Sequence, residues 1–292
     1  MTLFKSVALL VTGGAAGIGA SAGVSNGDAG ARSGGEGGAS EGGASEGGAS
    51  EGGASEGGAS EGGADTALGD VNAVVTCDNA YGFGWGSPSA LQNYRVAPAS
   101  QTAGDIFLCG PGPEGYVVPS ADAPPNAYLY AVAWADHAVT QGLIGQFQRV
   151  GGVPVYTGNT SWQVCATGMD FDSGDLTQQA GPTLAQINGE IVKCNAGTGD
   201  RTTSSAGWVD AAGAVTPNAI GKLAIGEDNS SAADDFPLVC ASGGASPGLD
   251  TAARWMWYTS TGIGDAFRFA SLDASRPFLI FRLTAGALPA SH

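Results

Sequence analysis

The sequence predicts an all-β fold, an antiparallel β-sandwich or jelly roll preceded by a disordered, glycine-rich linker. Short runs of alternating apolar residues, rich in β-branched and aromatic side chains, recur along the later part of the chain. Clusters of glycine, proline, Asn and Asp separate these runs, as turns do. All six tryptophans and all five cysteines follow a stretch of short repeats. Many short strands joined by turns favour two packed antiparallel sheets.

Residues 1–22 have the features of a secretory signal peptide. Lys5 supplies a positive start, an apolar stretch follows from Ser6, and Ala20-Ser21-Ala22 forms a small-residue cleavage site. The sequence therefore predicts a secreted, extracellular protein. No other stretch approaches the roughly 18 apolar residues that a membrane-spanning helix needs, so no transmembrane segment is expected.

The leader also contains TGGAAGIG (Thr12–Gly19), which fits the glycine pattern of the dinucleotide-binding loop in short-chain dehydrogenases. Such a loop needs an amphipathic helix after it, and the glycine-rich residues after Gly19 have no helical apolar face. None of the seven tyrosines is followed by a lysine four residues on, so the Tyr-x-x-x-Lys pair of that family is missing. The motif is interpreted as a chance match, and no enzyme is predicted.

Residues 23–65 are predicted to be a disordered acidic linker. Six pentads, EGGAS five times and then EGGAD, run from Glu36 to Asp65. Each repeat offers only alanine to a core, so burial could not offset the entropy of ordering it. A flexible chain of about 30 residues spans roughly 30 Å. The folded domain is predicted over residues 66–292.

The charge balance limits the partners. The chain carries 27 Asp and Glu against 11 Lys and Arg, a formal net charge of −16 at pH 7. Such a field repels nucleic acid and anionic membranes, so neither is an expected partner.

Seven runs carry the strand prediction. They are VNAVVTC, DIFLC, AYLYAVAW, GQFQRV, SWQVCAT, RWMWY and FLIFRL. Two segments are expected to hold a helical turn instead: DHAVTQGLIGQF (Asp136–Phe147) and TLAQINGEIV.

Several of these runs resemble strands of galactose-binding-like jelly rolls, the accessory β-sandwiches of bacterial α-L-rhamnosidases. VVTCDNAYGFGWG (Val74–Gly86) resembles a strand pair of that family, and NAYLYAVAWADHAVTQGLIGQF, VYTGNTSWQVCATG, RWMWY and LIFRL resemble four further segments. The last two usually open the domain and here close it, so the resemblance implies a circular permutation. Gly84-Trp85-Gly86 replaces the family's Asn-Gly turn. The resemblance implies a carbohydrate-binding sandwich, with structural Ca²⁺ as an optional cofactor.

The candidate ligand-binding residues are Asp78, Asn79, Tyr81 and Trp85. Aromatic side chains beside polar ones are suited to sugar rings, which have apolar faces and polar rims. Tyr81 and Phe83 have an alternative role, because alternating aromatics also build the inner face of a sandwich. Trp85 lies between two glycines at a strand end, where it can either be exposed to a ligand or belong to the inner face.

The candidate metal ligands are Asp170, Asp172 and Asp175 in DFDSGD. Clustered carboxylates around a glycine suit Ca²⁺, which takes six to eight oxygen ligands. Solvated acidic loops are the alternative interpretation, also for a second cluster at Gly226–Asp235.

The five cysteines are candidates for disulfide bonds and not for a metal site, because no C-x-x-C spacing occurs and export favours oxidation. They are Cys77, Cys109, Cys165, Cys194 and Cys240. An odd number leaves one spare, and the pairing stays open.

The sequence therefore predicts a secreted, non-catalytic sandwich that binds carbohydrate or another cell-surface ligand. One alternative is a structural matrix or coat component that self-associates through its sheets, with the spare cysteine forming an intermolecular bridge. A glycoside hydrolase is a third hypothesis, since the spacing of paired carboxylates is spatial and not visible in a sequence.

Overall fold

The computed structural model describes residues 68–78, 80–97, 113–134, 140–170, 181–197, 205–230, 248–268 and 277–290. Within these ranges the chain forms two antiparallel β-sheets and one α-helix, which confirms the predicted all-β sandwich. The predicted signal peptide and repeat linker lie outside the described residues.

The described residues contain thirteen strands. In chain order they are β1 (Val71–Asp78), β2 (Ala80–Ser87), β3 (Ala90–Val96), β4 (Glu114–Val118), β5 (Tyr128–Trp134), β6 (Gly142–Arg149), β7 (Val155–Tyr156), β8 (Gln163–Asp170), β9 (Val209–Asp210), β10 (Gly213–Ala214), β11 (Lys222–Asp228), β12 (Arg254–Thr259) and β13 (Pro277–Thr284).

The strands are divided between two sheets, called A and B. Sheet A has the order β11-β12-β6-β1-β4, with β7 also paired to β6. Sheet B has the order β10-β9-β8-β13-β5-β2-β3. Strand β4 is therefore at one edge of sheet A, and β3 is at one edge of sheet B.

The main core lies between the two sheets. It contains alternate residues of β1 in sheet A and of β5 and β13 in sheet B, and successive side chains of a strand point to opposite faces. These residues are Val71, Ala73, Val75 and Cys77 of β1, Leu129, Ala131 and Ala133 of β5, and Leu279, Phe281 and Leu283 of β13. All of them are nearly inaccessible to solvent, so the inner faces of the sheets are closely packed.

The helix α1 (Leu184–Ala196) confirms the helical prediction for TLAQINGEIV. Thr183 and Gln186 form a capping box at its start, and Gly197 ends it in the left-handed conformation with φ of 67°. Its buried face packs in a second apolar cluster with Tyr130, Val132 and Ile280 of sheet B. These residues alternate with those of the main core, so α1 covers the outer face of that sheet.

Helix α1 also fixes the edge strand β3. The Asn188 side chain accepts a hydrogen bond from Leu91 N at 2.8 Å and donates one to Leu91 O at 3.0 Å. Asn195 Nδ2 donates to Pro88 O, just before the strand, at 3.0 Å. These bonds satisfy backbone groups that an edge strand otherwise leaves unpaired.

The prediction of a helical turn in DHAVTQGLIGQF was wrong for its described end, since residues 142–147 belong to β6. Strand β6 pairs with β1 over eight residue pairs, from Val71↔Arg149 to Asp78↔Gly142. A Cβ atom at Gly145 would lie 2.8 Å from Val74 O, so this glycine permits a close approach to β1. Strand pairing thus overrides the helix-like spacing of the apolar residues.

The packing of β2 explains why aromatic residues and glycines alternate in its sequence. Tyr81 and Phe83 face the core between the sheets, which is the alternative role given for them above, and the half-buried Trp85 packs against that core. The glycines between them face β3 and its side chains: a Cβ at Gly82 would lie 2.4 Å from the Tyr94 ring, and one at Gly84 only 2.0 Å from Asn93 O. At these two positions only glycine fits.

We expect Gly84→Ala to lower the free energy of unfolding by about 1–3 kcal/mol, because the backbone of β3 must move to admit the methyl group. Gly189→Ala is the matched control. Gly189 lies inside α1, and a methyl group added there would meet no atom within 4 Å outside the helix's own backbone, so the same change should stabilise the helix by about 0.5–1 kcal/mol. Urea unfolding of both variants checks the opposite signs, and equal effects would contradict the packing of β2 against β3.

No helix in the described part of the chain has the length and apolar character needed to span a bilayer.

Candidate functional site

An aromatic groove lies between the edge strands β3 and β4. It has a volume of about 330 Å³, and its walls come from β2, β3 and β4. Its lining residues are Phe83, Trp85, Asn93, Tyr94, Arg95, Gly115, Tyr116 and Val117. Among the described residues β3 ends sheet B and β4 ends sheet A, and the groove lies where these two edges meet.

The groove has an apolar floor and a polar rim. Phe83 and Tyr116 are buried, with ring centroids 4.6 Å apart, and the half-buried Trp85 ring lies 6.3 Å from Phe83. Asn93 and Arg95 are exposed on β3. In the register of β2 and β3 they lie opposite Trp85 and Phe83, and therefore on the same face of the sheet.

Arg95 is a cation without an ion-pair partner among the described residues, and it lies near the Tyr116 hydroxyl. Burial raises the pKa of Tyr116 to about 12, although the hydrogen bond with Tyr81 and, less strongly, the charge of Arg95 lower it. Tyr116 is therefore a neutral hydrogen-bonding group at physiological pH. The rim offers a guanidinium and an amide to a ligand, above an uncharged aromatic floor.

A second depression, of about 230 Å³, lies beside the groove. Its lining residues are Trp85, Gly86, Ser87, Pro88, Gln92, Ala121, Asp122, Pro124, Asn126 and Ala127. Trp85 is the one lining residue that both depressions share, so its indole forms the wall between them. Trp85 Nε1 donates a hydrogen bond of 3.2 Å to Asp122 Oδ2, which holds the ring in place.

Three polar side chains form a buried network beneath the groove. The Tyr81 hydroxyl donates to Val75 O at 2.9 Å, and Tyr116 Oη donates to Tyr81 Oη at 3.1 Å. Tyr81 Oη also lies in hydrogen-bond contact with Glu114 Oε2. The other carboxyl oxygen, Glu114 Oε1, is buried with no hydrogen-bond partner.

The Tyr81 hydroxyl has two acceptors for its one hydrogen. Tyr81 Oη lies within hydrogen-bond distance of both Val75 O and Glu114 Oε2, and a phenol has only one hydrogen to donate to them. Burial raises the pKa of Glu114, in spite of the hydrogen bond from Tyr81, which lowers it. Burial also raises the pKa of Tyr81 well above its usual value, so this phenol is neutral at physiological pH.

We expect Glu114 to make the protein less stable as the pH rises. Because its folded-state pKa lies above the ordinary value near 4.5, its stabilising contribution is complete below that value and is lost as the pH rises through the folded-state pKa. Glu114→Gln stays neutral, so its stability relative to the wild type should increase between pH 4 and pH 8. Urea unfolding of both proteins across this range measures the difference, and a difference that falls with pH would show a carboxylate stabilised by the fold.

The structure separates the four predicted ligand-binding residues. Tyr81 is only 3% exposed and lies in the core. Asp78 is equally buried, and its Oδ2 accepts a 2.6 Å hydrogen bond from Thr140 Oγ1. Asn79 lies outside the described residues. Of the four, Trp85 alone is placed at the groove.

Apart from Trp85 and Phe83, sequence reasoning did not single out the groove residues. Tyr116 and Val117 belong to β4, which begins inside the turn-like GPGPEG. Asn93 and Arg95 belong to β3, whose run ALQNYRV alternates weakly. The available signal was the Tyr-Val-Val end of β4, three residues with strand propensity.

Of the three predicted metal ligands, only Asp170 lies within the described residues. Asp170 is the last residue of β8, and Asp172 and Asp175 lie outside the described residues. Among the residues that the structure describes, no group of three or more His, Cys, Asp or Glu side chains is placed to hold a metal ion. In the second acidic cluster, hydrogen bonds from the Ser230 hydroxyl and backbone lower the pKa of Asp228.

The five cysteines divide into three groups. Cys165 on β8 and Cys194 on α1 form a disulfide with an S–S distance of 2.07 Å, which ties the helix to sheet B. Cys77 is a free thiol in the main core, 1% exposed, and burial raises its pKa. Cys109 and Cys240 lie outside the described residues. The folded domain therefore does not present Cys77 for an intermolecular bridge.

A larger cavity, of about 720 Å³, lies at the junction of β11, β12 and the loop that follows β12. Phe267 is its one aromatic lining residue, and its polar lining residues are Lys222, Thr259, Ser260, Thr261 and Asp265. The aromatic groove is smaller, but it places four aromatic residues beside exposed hydrogen-bonding groups, which is the better arrangement for recognition of an amphipathic ligand.

Comparisons with protein-family models, curated proteins and solved structures found no match to this chain.

Proposed function

We propose that this protein is an exported, non-catalytic β-sandwich that binds carbohydrate at Trp85. The observation that carries the proposal is the half-buried Trp85 indole, held by Asp122 and bordered on both sides by depressions with polar rims. Sugars combine apolar ring faces with many hydroxyl groups, and an aromatic surface with nearby amide, guanidinium and carboxylate groups complements both.

The contacts of the two carboxyl groups near Trp85 support binding and not hydrolysis. Glu114 lies beneath the groove in contact with Tyr81, and Asp122 accepts the indole hydrogen bond. Glycoside hydrolysis uses a pair of carboxyl groups that flank the scissile bond. Here Glu114 contacts Tyr81 and Asp122 holds the Trp85 indole, so both carboxyl groups have partners within the protein.

Export is proposed from two observations. Residues 1–22 have the pattern of a signal peptide, and the Cys165–Cys194 disulfide suits an oxidising compartment. The resemblance to galactose-binding-like jelly rolls agrees with an extracellular carbohydrate-binding role.

A glycan and polysaccharide array tests the function directly. The mature protein, labelled at its amino groups, is applied once with Ca²⁺ and once with EDTA. We expect selective binding to one or a few saccharide structures. Binding that EDTA abolishes would add a Ca²⁺ site at the acidic loops, whereas a blank array in both conditions would contradict the proposal and favour the self-associating structural protein.

A further inference from the structure

We infer that the Trp85 site takes an internal stretch of a linear saccharide chain, with one sugar unit on each side of the indole. The inference rests on the proposed function and adds the ligand's form: a chain of at least two linked units, and not a single terminal sugar.

The sizes of the two depressions support this. Their volumes are about 330 Å³ and 230 Å³, one just above and one below the lower end of ordinary ligand pockets, which is about 300 Å³. Neither alone is large for a specific ligand site. A chain that crosses Trp85 fills both and contacts the indole with two successive units.

The polar groups on the two sides of Trp85 differ. The groove side has Arg95 and Asn93, and the other side has the Asp122 carboxylate with Gln92 and Asn126. Asp122 Oδ2 already accepts the indole hydrogen, which leaves Oδ1 to accept from a sugar hydroxyl. A guanidinium donates and a carboxylate accepts, so successive units meet different partners and the chain binds in one direction.

Affinity as a function of chain length tests the inference. The probes are size-separated oligosaccharides of one to six units, cut from the polysaccharide that binds on the array, titrated calorimetrically into the wild-type protein. We expect the affinity to rise at least about tenfold from one unit to three and then to level off. Equal affinity for one unit and four units would overturn the inference while leaving carbohydrate binding intact.

Two variants test whether the saccharide is bound on both sides of Trp85. Arg95→Gln changes the groove, and Asn126→Ala changes the second depression; both side chains are exposed, so folding should be unaffected. Each should weaken binding of the longest probe about threefold to tenfold. The matched control is Asn72→Ala, an exposed asparagine on β1 outside both depressions. An effect of Arg95→Gln with none of Asn126→Ala would show a one-sided site and overturn the inference.

Discussion

Replacement of Arg149 by methionine is expected to lower the free energy of unfolding by about 3–5 kcal/mol. Arg149 ends β6, is 1% exposed, and donates hydrogen bonds to three backbone carbonyls. These are Gly69 O at 3.2 Å, Ala123 O at 2.6 Å and Ala285 O at 3.2 Å. Methionine has a similar volume but no hydrogen-bond donor. The three carbonyls therefore lose this donor where it is buried.

The effect is large because the three acceptors belong to different parts of the chain. Gly69 precedes β1, Ala123 follows the short turn after β4, and Ala285 follows β13. One guanidinium therefore holds three segments together, and no ion pair with Arg149 occurs among the described residues. Lysine would not replace it, because a single ammonium group lacks the planar, forked donor geometry.

Arg95→Met is the control for this prediction. It makes the same chemical change at an exposed arginine, where we expect a stability change within about 0.5 kcal/mol. Urea unfolding followed by circular dichroism measures both, with the disulfide kept oxidised. A loss below about 1 kcal/mol for Arg149→Met would show that water or neighbouring groups satisfy the three carbonyls.

Replacement of Trp85 by alanine is expected to weaken saccharide binding by about 2 kcal/mol or more, roughly 30-fold in Kd. The change removes the wall that both depressions share and the surface on which the ligand lies. Isothermal titration with the polysaccharide that binds on the array measures the loss. Because the side chain is only half-buried, the fold should persist, which circular dichroism checks.

Trp85→Phe separates the stacking of the sugar on an aromatic ring from the orientation of that ring by Asp122. Phenylalanine keeps an aromatic face but lacks the indole N–H that donates to Asp122. We expect a Kd between those of the wild type and Trp85→Ala. Wild-type affinity in Trp85→Ala would place the saccharide elsewhere, and the cavity at Lys222 and Asp265 would become the next candidate.

The sequence predicted the central strands well, because their pattern directly reflects burial. Alternate residues of β1, β5 and β13 are apolar and face the same core, so the sandwich follows from local periodicity. The helix α1 is also visible, in the Thr183 and Gln186 capping box and the terminal Gly197. The error at residues 142–147 arose because pairing with β1, a long-range contact, decides the conformation there.

The candidate site was less predictable, since it depends on where the sheets end. Tyr81 and Trp85 have the same strand face and the same alternation with glycine, but Tyr81 lies over the centre of the sandwich and Trp85 near its edge. Tyr116 and Arg95 reach the groove only because β4 and β3 are both edge strands. A single sequence contains no local signal for the order of strands in a sheet.

Iodide quenching of tryptophan fluorescence tests the central claim, that Trp85 is the saccharide-binding surface. The other five tryptophans are at most 6% exposed, so Trp85 should provide nearly all of the quenchable emission. We predict that this quenchable fraction is absent from Trp85→Phe and that saturating saccharide removes it from the wild type. If the saccharide binds and iodide still quenches the wild-type protein fully, Trp85 is not the binding surface and the account is contradicted.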